Sequence, residues 1–598
     1  MNNIQKEEEQ EQESTTNSNT ETNLIVEDIS NTIEMLDIDK SEYTKIPELV
    51  TVSAKAGSTS SNESILLNKD FQDLERQKQE KLKHPSSHLT DLEDLPQGRH
   101  LGLFSTIILF ISRILGSGIF SITSGIYIDV GQSPFLFFLA WFLACIASFG
   151  GLYVFLEMGS LVPRSGGAKV FLEFIYTKPK LLATVAYSIY SVMFGFTISN
   201  VLVFGEYFVH SLGFEVTPFR LRLSGLLFLY GAALVHGVSV SHGVKVQNIL
   251  GGLKLVLVGI MMLTGLYVML LPQSITKLEN NLTWDTFWTV KGSASLASFS
   301  SAVIKASFAF SGWNSVHTVS NEIKDPVKTL KIAGPVSLAV MTVTYFIINF
   351  AYLKVIPDEE IVNSSTLVGS VLFEKILGET LGRHFLTFSI ALCAGGNIFV
   401  VIYTISRVDQ EVFREGYLPF SKFMASNWPF GAPLRTLILS CSITTLIVVG
   451  FPKGDVYSYM VSLEGYPQQI AVALIAIGIY IIRKRYPDLH APIKAGFLGT
   501  SSVFLISIYL IIGPFISSGS PNPKGLENWP NYASVGTICI LICILYWAMM
   551  FKILPWFGNY ELVSEEVILS DGLTIKQWDK IHNYSNIPYR SMMEETSG

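Results

Sequence analysis

Charge is scarce in this chain. Asp, Glu, Lys and Arg make up 15% of its 598 residues against 49% hydrophobic ones, and a mean hydropathy of +0.40 leaves too little polar surface for a water-soluble fold of that length. Cysteine is equally sparse. Cys145, Cys393, Cys441, Cys539 and Cys543 all lie in apolar runs, which argues against a disulfide framework. Positive charge is not in surplus, the formal net charge being −7, so a basic nucleic-acid face is excluded. The sequence has no Walker loop and no zincin helix, and His236 and His242 lack Cys or acidic neighbours at metal spacing. Neither enzymatic chemistry nor a bound cofactor or metal is therefore expected. No apolar stretch near the start resembles a secretory signal, so the first hydrophobic helix is expected to act as its own insertion signal.

What the chain does contain falls into two materials. Residues 1–97 hold 21 acids against 9 Lys and Arg, net −12, which leaves the remainder at net +5. This part opens with the low-complexity run Lys6 to Glu13 and has no sustained apolar face, so a disordered acidic cytosolic tail is expected over 1–97. From Leu101 onward, stretches of about 17 to 25 apolar residues recur, each long enough to cross roughly 30 Å of hydrocarbon. Twelve are counted: 101–128, 134–158, 181–208, 221–240, 247–271, 297–319, 334–356, 384–405, 434–451, 456–482, 494–516 and 533–554. With the amino terminus inside, the inner loops hold about 16 Lys and Arg and the outer loops about 9, so both termini are expected in the cytosol. The sequons at Asn281 and Asn363 then fall outside.

Two spans are interrupted. Span 1 reads Arg113-Ile-Leu-Gly-Ser-Gly-Ile-Phe120 and span 6 reads Phe310-Ser-Gly-Trp-Asn314. Glycine weakens a helix and bares backbone groups, which at membrane depth are tolerated only against protein or a wet cavity. Close packing through small residues would explain either motif alone. The pair says more, because spans 1 and 6 are five helices apart and so run in opposite directions, as in an inverted repeat. Half-helix ends in such proteins carry partial charges that suit a carboxylate and an ammonium group. The expected architecture is an all-α integral membrane protein of twelve transmembrane helices with a 5+5 inverted repeat and broken helices 1 and 6. It divides into a transporter domain over 98–556, with a first repeat at 101–271, a second at 297–482 and peripheral helices at 494–554, and a cytosolic tail over 557–598.

These motifs resemble the amino acid–polyamine–organocation superfamily, and within it the L-type and fungal methionine permeases of high-affinity type. The resemblance rests on Gly116-Ser-Gly-Ile-Phe120, Phe310-Ser-Gly-Trp-Asn314, the run from Asn321 to Pro335, Asn248-Ile-Leu-Gly-Gly-Leu-Lys254 and Arg414-Glu-Gly-Tyr-Leu-Pro-Phe420, and covers roughly residues 97 to 565. It implies a LeuT-type core and proton-driven import of a neutral amino acid across the plasma membrane, methionine foremost, with cysteine or other neutral amino acids as alternatives. It further implies that the substrate meets Ile114, Gly116, Ser117, Gly118, Phe310, Ser311 and Gly312, with Trp313 and Asn314 shaping the pocket or gate. Lys254 matches a span 5 lysine that occupies the sodium position of sodium-coupled relatives, and is expected to carry the proton; snorkelling to the inner surface is the plain alternative.

The remaining intramembrane charges need partners. Arg113 is expected to clamp the inner gate with Glu157 or Glu322. Lys305, Glu206 and Glu464 form either an outer charge network or separate wetted charges. Asn200, Ser199 and Asn397 are assigned to interhelical hydrogen bonding ahead of ligand contact. The strip Asp91, Glu93 and Asp94 with Lys69, Lys78, Lys81 and Lys83 upstream is either a solvated juxtamembrane segment or, as the resemblance implies, a dock for a ubiquitin-ligase adaptor. Tyr560, Leu562 and Val563 are expected to fold back over the cytoplasmic vestibule. Two competing functions stay open: an amino-acid receptor of the same fold that does not transport, and an ion channel, disfavoured because nothing resembles a filter loop or charged pore ring.

Overall fold

The computed structural model describes residues 102–162, 167–314, 323–428, 430–451, 455–516, 522–523, 526, 528–569 and 574–582. The expected adaptor dock at residues 69–94 and Glu322 lie outside these. The described residues form a helical, multi-spanning membrane fold. Ten helical spans are long and apolar enough to cross a bilayer, and two shorter apolar helices, Leu296–Ala309 and Leu434–Gly450, accompany them.

The first span is α1 (Leu103–Ile114), α2 (Gly118–Ser121) and α3 (Thr123–Asp129). Helix α1 stops because Leu115 takes an extended conformation, φ −72° and ψ 95°. Next comes α4 (Pro134–Leu161), started by a proline at its first position, where a missing N–H costs nothing. It is apolar all round, as suits a helix packed on several sides.

The third span differs from expectation. Residues 181–208 were read as one helix, but the structure divides them into α5 (Leu182–Met193) and α6 (Ile198–Ser211), with Phe194 to Thr197 unwound between them. The gap persists because side chains of a later helix, Leu434–Gly450, replace the lost helical bonds: Ser440 Oγ donates to the Gly195 carbonyl at 2.6 Å, and Thr444 Oγ1 accepts from the Thr197 amide at 3.4 Å. Sequence periodicity carries no signal for such side-chain rescue.

Two antiparallel spans follow, α7 (Pro218–Val238) and α8 (Val240–Leu270). Next are the short apolar α9 (Leu296–Ala309) and α10 (Pro326–Val355). The latter starts eight residues before the expected 334. Helix α11 (Thr387–Arg414) is preceded by a π-helical turn over Glu379–Leu386 and runs nine residues past the expected 405. The bundle closes with α12 (Leu434–Gly450), α13 (Val456–Arg485), α14 (Phe497–Ile512) and α15 (Tyr532–Ala548). The core centres on α1, α4, α9 and α10, where Trp141, Phe310 and Tyr345 form a mutual ring cluster with centroids 5.3 to 5.9 Å apart.

The described part of the tail beyond Asn559 is a hairpin. Strands β1 (Tyr560–Ile568) and β2 (Thr574–His582) pair as an antiparallel hairpin. Strand β2 holds it to the end of α11 and to the turn that follows. Trp578 Nε1 donates to the Glu415 carbonyl at 2.8 Å, Lys576 pairs with the Glu415 carboxylate at 3.1 Å, and Arg414 Nε donates to the Thr574 carbonyl at 2.9 Å. Val563 is exposed.

Candidate site at the helix interruptions

The backbone of α1 comes apart one residue at a time. The Leu115 amide still reaches the Ile111 carbonyl at 2.8 Å. The next carbonyl, that of Ser112, accepts instead from Lys254 Nζ at 3.1 Å. A buried carbonyl without a donor is costly, so the lysine does the work of the missing turn. Lys254 is 1% exposed, in the bundle interior, so it does not snorkel. Its ammonium also donates to Asn397 Oδ1 of α11.

The polar contacts continue from there. Asn397 Nδ2 donates to Asn200 Oδ1 of α6 at 3.3 Å. The same oxygen accepts from Ser117 Oγ at 3.2 Å, and Asn200 Nδ2 donates to Thr197 Oγ1 at 3.2 Å. The asparagines read as packing residues thus sit between the lysine and the glycine motif. Ser199 faces elsewhere, donating to Glu464 at 3.3 Å.

Helix α9 ends beside α1. Ala309 is its last residue, and 311–314 run as turns. Glycine is required at this junction. A Cβ on Gly118 would lie 2.9 Å from Ala309 Cα, one on Gly312 would lie 2.6 Å from the Arg113 carbonyl oxygen, and Gly312 has φ +114°. At Gly116 a Cβ would meet the Asn397 amide at 2.6 Å. A residue outside the expected set ties the two ends together: Tyr345 Oη of α10 lies 3.1 Å from the Ile114 carbonyl oxygen and 3.2 Å from that of Ala309. A tyrosine inside an apolar run gives no sequence signal of this role.

The expected pocket residues separate into two groups. Ile114, Gly116, Ser117, Gly118 and Gly312 come together at the junction, with Ser117 2% exposed. The Phe310 ring points into the Trp141–Tyr345 cluster. Trp313 packs on α4, edge-on to Phe155 at 5.1 Å and against Gly151. Ser311 and Trp313 border a cavity of about 30 Å3 shared with Ser148, Ser307, Gln468 and Gln469, room for about one water. Asn314 is half-buried.

The other charges find partners that spacing did not reveal. Glu157 does not clamp Arg113. It accepts from Arg483 Nε at 3.0 Å and Nη2 at 2.6 Å, and from the Ala495 amide at 2.7 Å, locking α4 to α13 and the start of α14. Arg113 Nη2 donates to Thr404 Oγ1 at 3.1 Å. Lys305, Glu206 and Glu464 do not form one network. Buried Lys305 pairs with half-buried Asp129 at 2.7 Å, Glu206 accepts from Thr366, and Glu464 accepts from Ser199. Asp129, missed because it ends a span, is the only ion-pair partner of Lys305 among the described residues.

Outside the spans, burial alone would raise the Glu415 carboxyl, but Lys169 and Lys576 outweigh it and hold the group below its ordinary value.

A many-helix membrane bundle whose centre is bare backbone, glycine and hydrogen-bonding side chains belongs to the carriers and not to the catalysts. The chain is a member of the amino acid permease family, whose model matches residues 101–545. Among curated proteins it is 42% identical over 491 residues to the low-affinity methionine permease of Saccharomyces cerevisiae, covering 81% of this chain and 89% of that one. It is 31% identical to the high-affinity methionine permease of the same yeast, over 80% and 84%. The mouse Asc-type amino acid transporter 1 is 26% identical, over 74% and 79%.

Proposed function

We propose that this permease imports methionine across the plasma membrane by alternating access, driven by protons entering with it. The observation that carries the reading is the Lys254 ammonium, buried at the bundle centre and donating to the freed Ser112 carbonyl at the end of α1. Losing a proton removes a donor and a charge at the place where the first helix is open, so proton and backbone geometry are tied together. The names of the yeast relatives support methionine. Identity is higher to the low-affinity relative, so we read the affinity type as low.

In this reading the chain has twelve spans, α9 and α12 filling the places of the two short ones. Spans 1–5 (101–271) and 6–10 (297–482) are inverted repeats of a LeuT-type core, 494–554 are peripheral, and both tails, 1–97 and 557–598, are cytosolic. The carboxylate of the substrate meets the amides of Gly116, Ser117 and Gly118. Its ammonium meets carbonyls at Ile114, Phe310, Ser311 and Gly312. Trp313 and Asn314 belong to the gate, which must move to enlarge the water-sized cavity.

Uptake of labelled methionine into vesicles carrying the purified protein tests this. An inward proton gradient should drive accumulation and an uncoupler should abolish it, while exchange of internal for external methionine continues. Binding without accumulation under any gradient would make the protein a receptor and reject the proposal.

A further inference from the structure

We propose that Asn397 and Asn200 are positioning residues that pass the protonation state of Lys254 to Ser117 by the direction of their hydrogen bonds. The inference rests on the proposed function, in which Lys254 carries the proton and the span 1 motif holds the amino acid.

The argument is one of donors and acceptors. An ammonium group can only donate, so Asn397 must turn its oxygen to Lys254 and its NH2 away. That NH2 needs an acceptor, so Asn200 turns its own oxygen toward Asn397. The Asn200 oxygen then also accepts from Ser117 Oγ, and its NH2 is directed at Thr197 Oγ1. Each amide orientation follows from the one before, starting at the lysine. Lys254, Asn200, Ser117 and Thr197 are buried, and Asn397 between them is half-buried.

When the lysine gives up its proton, the amine acquires a lone pair. Asn397 is then free to rotate its amide and donate to the amine, which leaves its oxygen facing Asn200. Two oxygens cannot face each other at this distance, so Asn200 turns its NH2 inward. The Ser117 hydroxyl then accepts from that NH2 where it had donated, so its own hydrogen turns away from Asn200 and is freed between Gly116 and Gly118. Among the described residues, the charged and titratable groups whose electrostatics reach Lys254 are Cys393 of α11 and Arg113 of α1. No described acid pairs with Lys254, so the polarity of the series is set by the lysine itself.

Full-length protein in liposomes, with labelled methionine as probe, separates the relay from the reading beneath it. Binding is measured from about pH 5.5 to about pH 8, together with exchange and proton-driven accumulation. Wild-type affinity should change several-fold over this range, and Lys254→Ala should flatten the profile. Asn397→Leu and Asn200→Leu should flatten it as well, with accumulation lost and exchange retained. Asn200→Leu is the decisive variant, since it leaves the Lys254–Asn397 bond intact and cuts only the next link. A wild-type profile in Asn200→Leu, with Lys254→Ala flat, overturns the relay and leaves the proton site standing. A flat wild type, or an unaltered profile in Lys254→Ala, overturns both. Should Asn397→Leu fail to fold, Asn200→Leu alone decides.

Discussion

At the level of single residues, the centre of this permease depends on atoms that are absent as much as on those present. Gly312 has positive φ and stands where a Cβ would run into the Arg113 carbonyl. Gly312→Ala is expected to cost about 1–3 kcal/mol from backbone strain alone and to abolish methionine uptake, while the protein still reaches the membrane. Uptake at the wild-type rate would remove Gly312 from the site. Tyr345→Phe deletes the one hydroxyl that two buried carbonyls share as donor. A loss of about 1–3 kcal/mol is expected, read as a lower melting temperature in detergent, with slower uptake. The glycines were legible in the sequence because two interruptions in oppositely directed spans say more than close packing would explain. Tyr345, Asn397 and Asn200 were not, because a hydrogen-bonding side chain in an apolar run looks the same whether it serves a ligand, a neighbouring helix or an open backbone.

At the level of helices, hydropathy located the spans and missed how they are held. The third span is unwound at Phe194 to Thr197, and α12 supplies the substitute hydrogen bonds. Replacing Ser440 by Ala should therefore destabilise the α5–α6 junction by about 1 kcal/mol, detectable as faster hydrogen exchange at residues 194–197. An unchanged exchange rate there would show that Ser440 does not support the gap. Asp409 of α11 lies against the same opening, with its Oδ2 3.1 Å from where a Gly195 Cβ would sit. Its buried Oδ1 has no hydrogen-bond partner among the described residues. Glu157 shows the other limit of sequence reasoning. Its burial in α4 demands a cation, and sequence logic offers Arg113, but the tertiary fold brings Arg483 to it, from a helix more than three hundred residues away. Glu157→Gln removes the charge that Arg483 and the Ala495 amide both require. The loss should approach, without reaching, the roughly 3–5 kcal/mol of a fully buried pair, because the Arg483 side chain is 27% exposed. Thermal unfolding of the variant checks it.

At the level of the whole molecule, the hairpin β1–β2 rests on the turn after α11, and Glu415 is the charge on which it is held. Lys169 and Lys576 overcome burial and depress the Glu415 carboxyl. A depressed acid contributes stability above its ordinary value and loses it as pH falls through the lowered one. Docking should thus be intact at neutral pH and weaken only in acid below the usual carboxylate range. Limited proteolysis should cut the chain between β1 and β2 faster at low pH, and Glu415→Gln should show the fast pattern already at neutral pH. Equal rates for wild type and variant would place the hold elsewhere. The hairpin was invisible to hydropathy because its strands, reading Glu-Leu-Val-Ser-Glu-Glu and Ile-Lys-Gln-Trp-Asp-Lys, are polar and find their order only against the turn they cover.

The Tyr345 hydroxyl has one hydrogen and two carbonyl oxygens to serve. At any instant it satisfies Ile114 or Ala309 and leaves the other wanting. The two helix ends therefore compete for a single bond, and the unserved one is always the readier to yield. One side chain of α10 thus ties the position of each interrupted helix to that of the other.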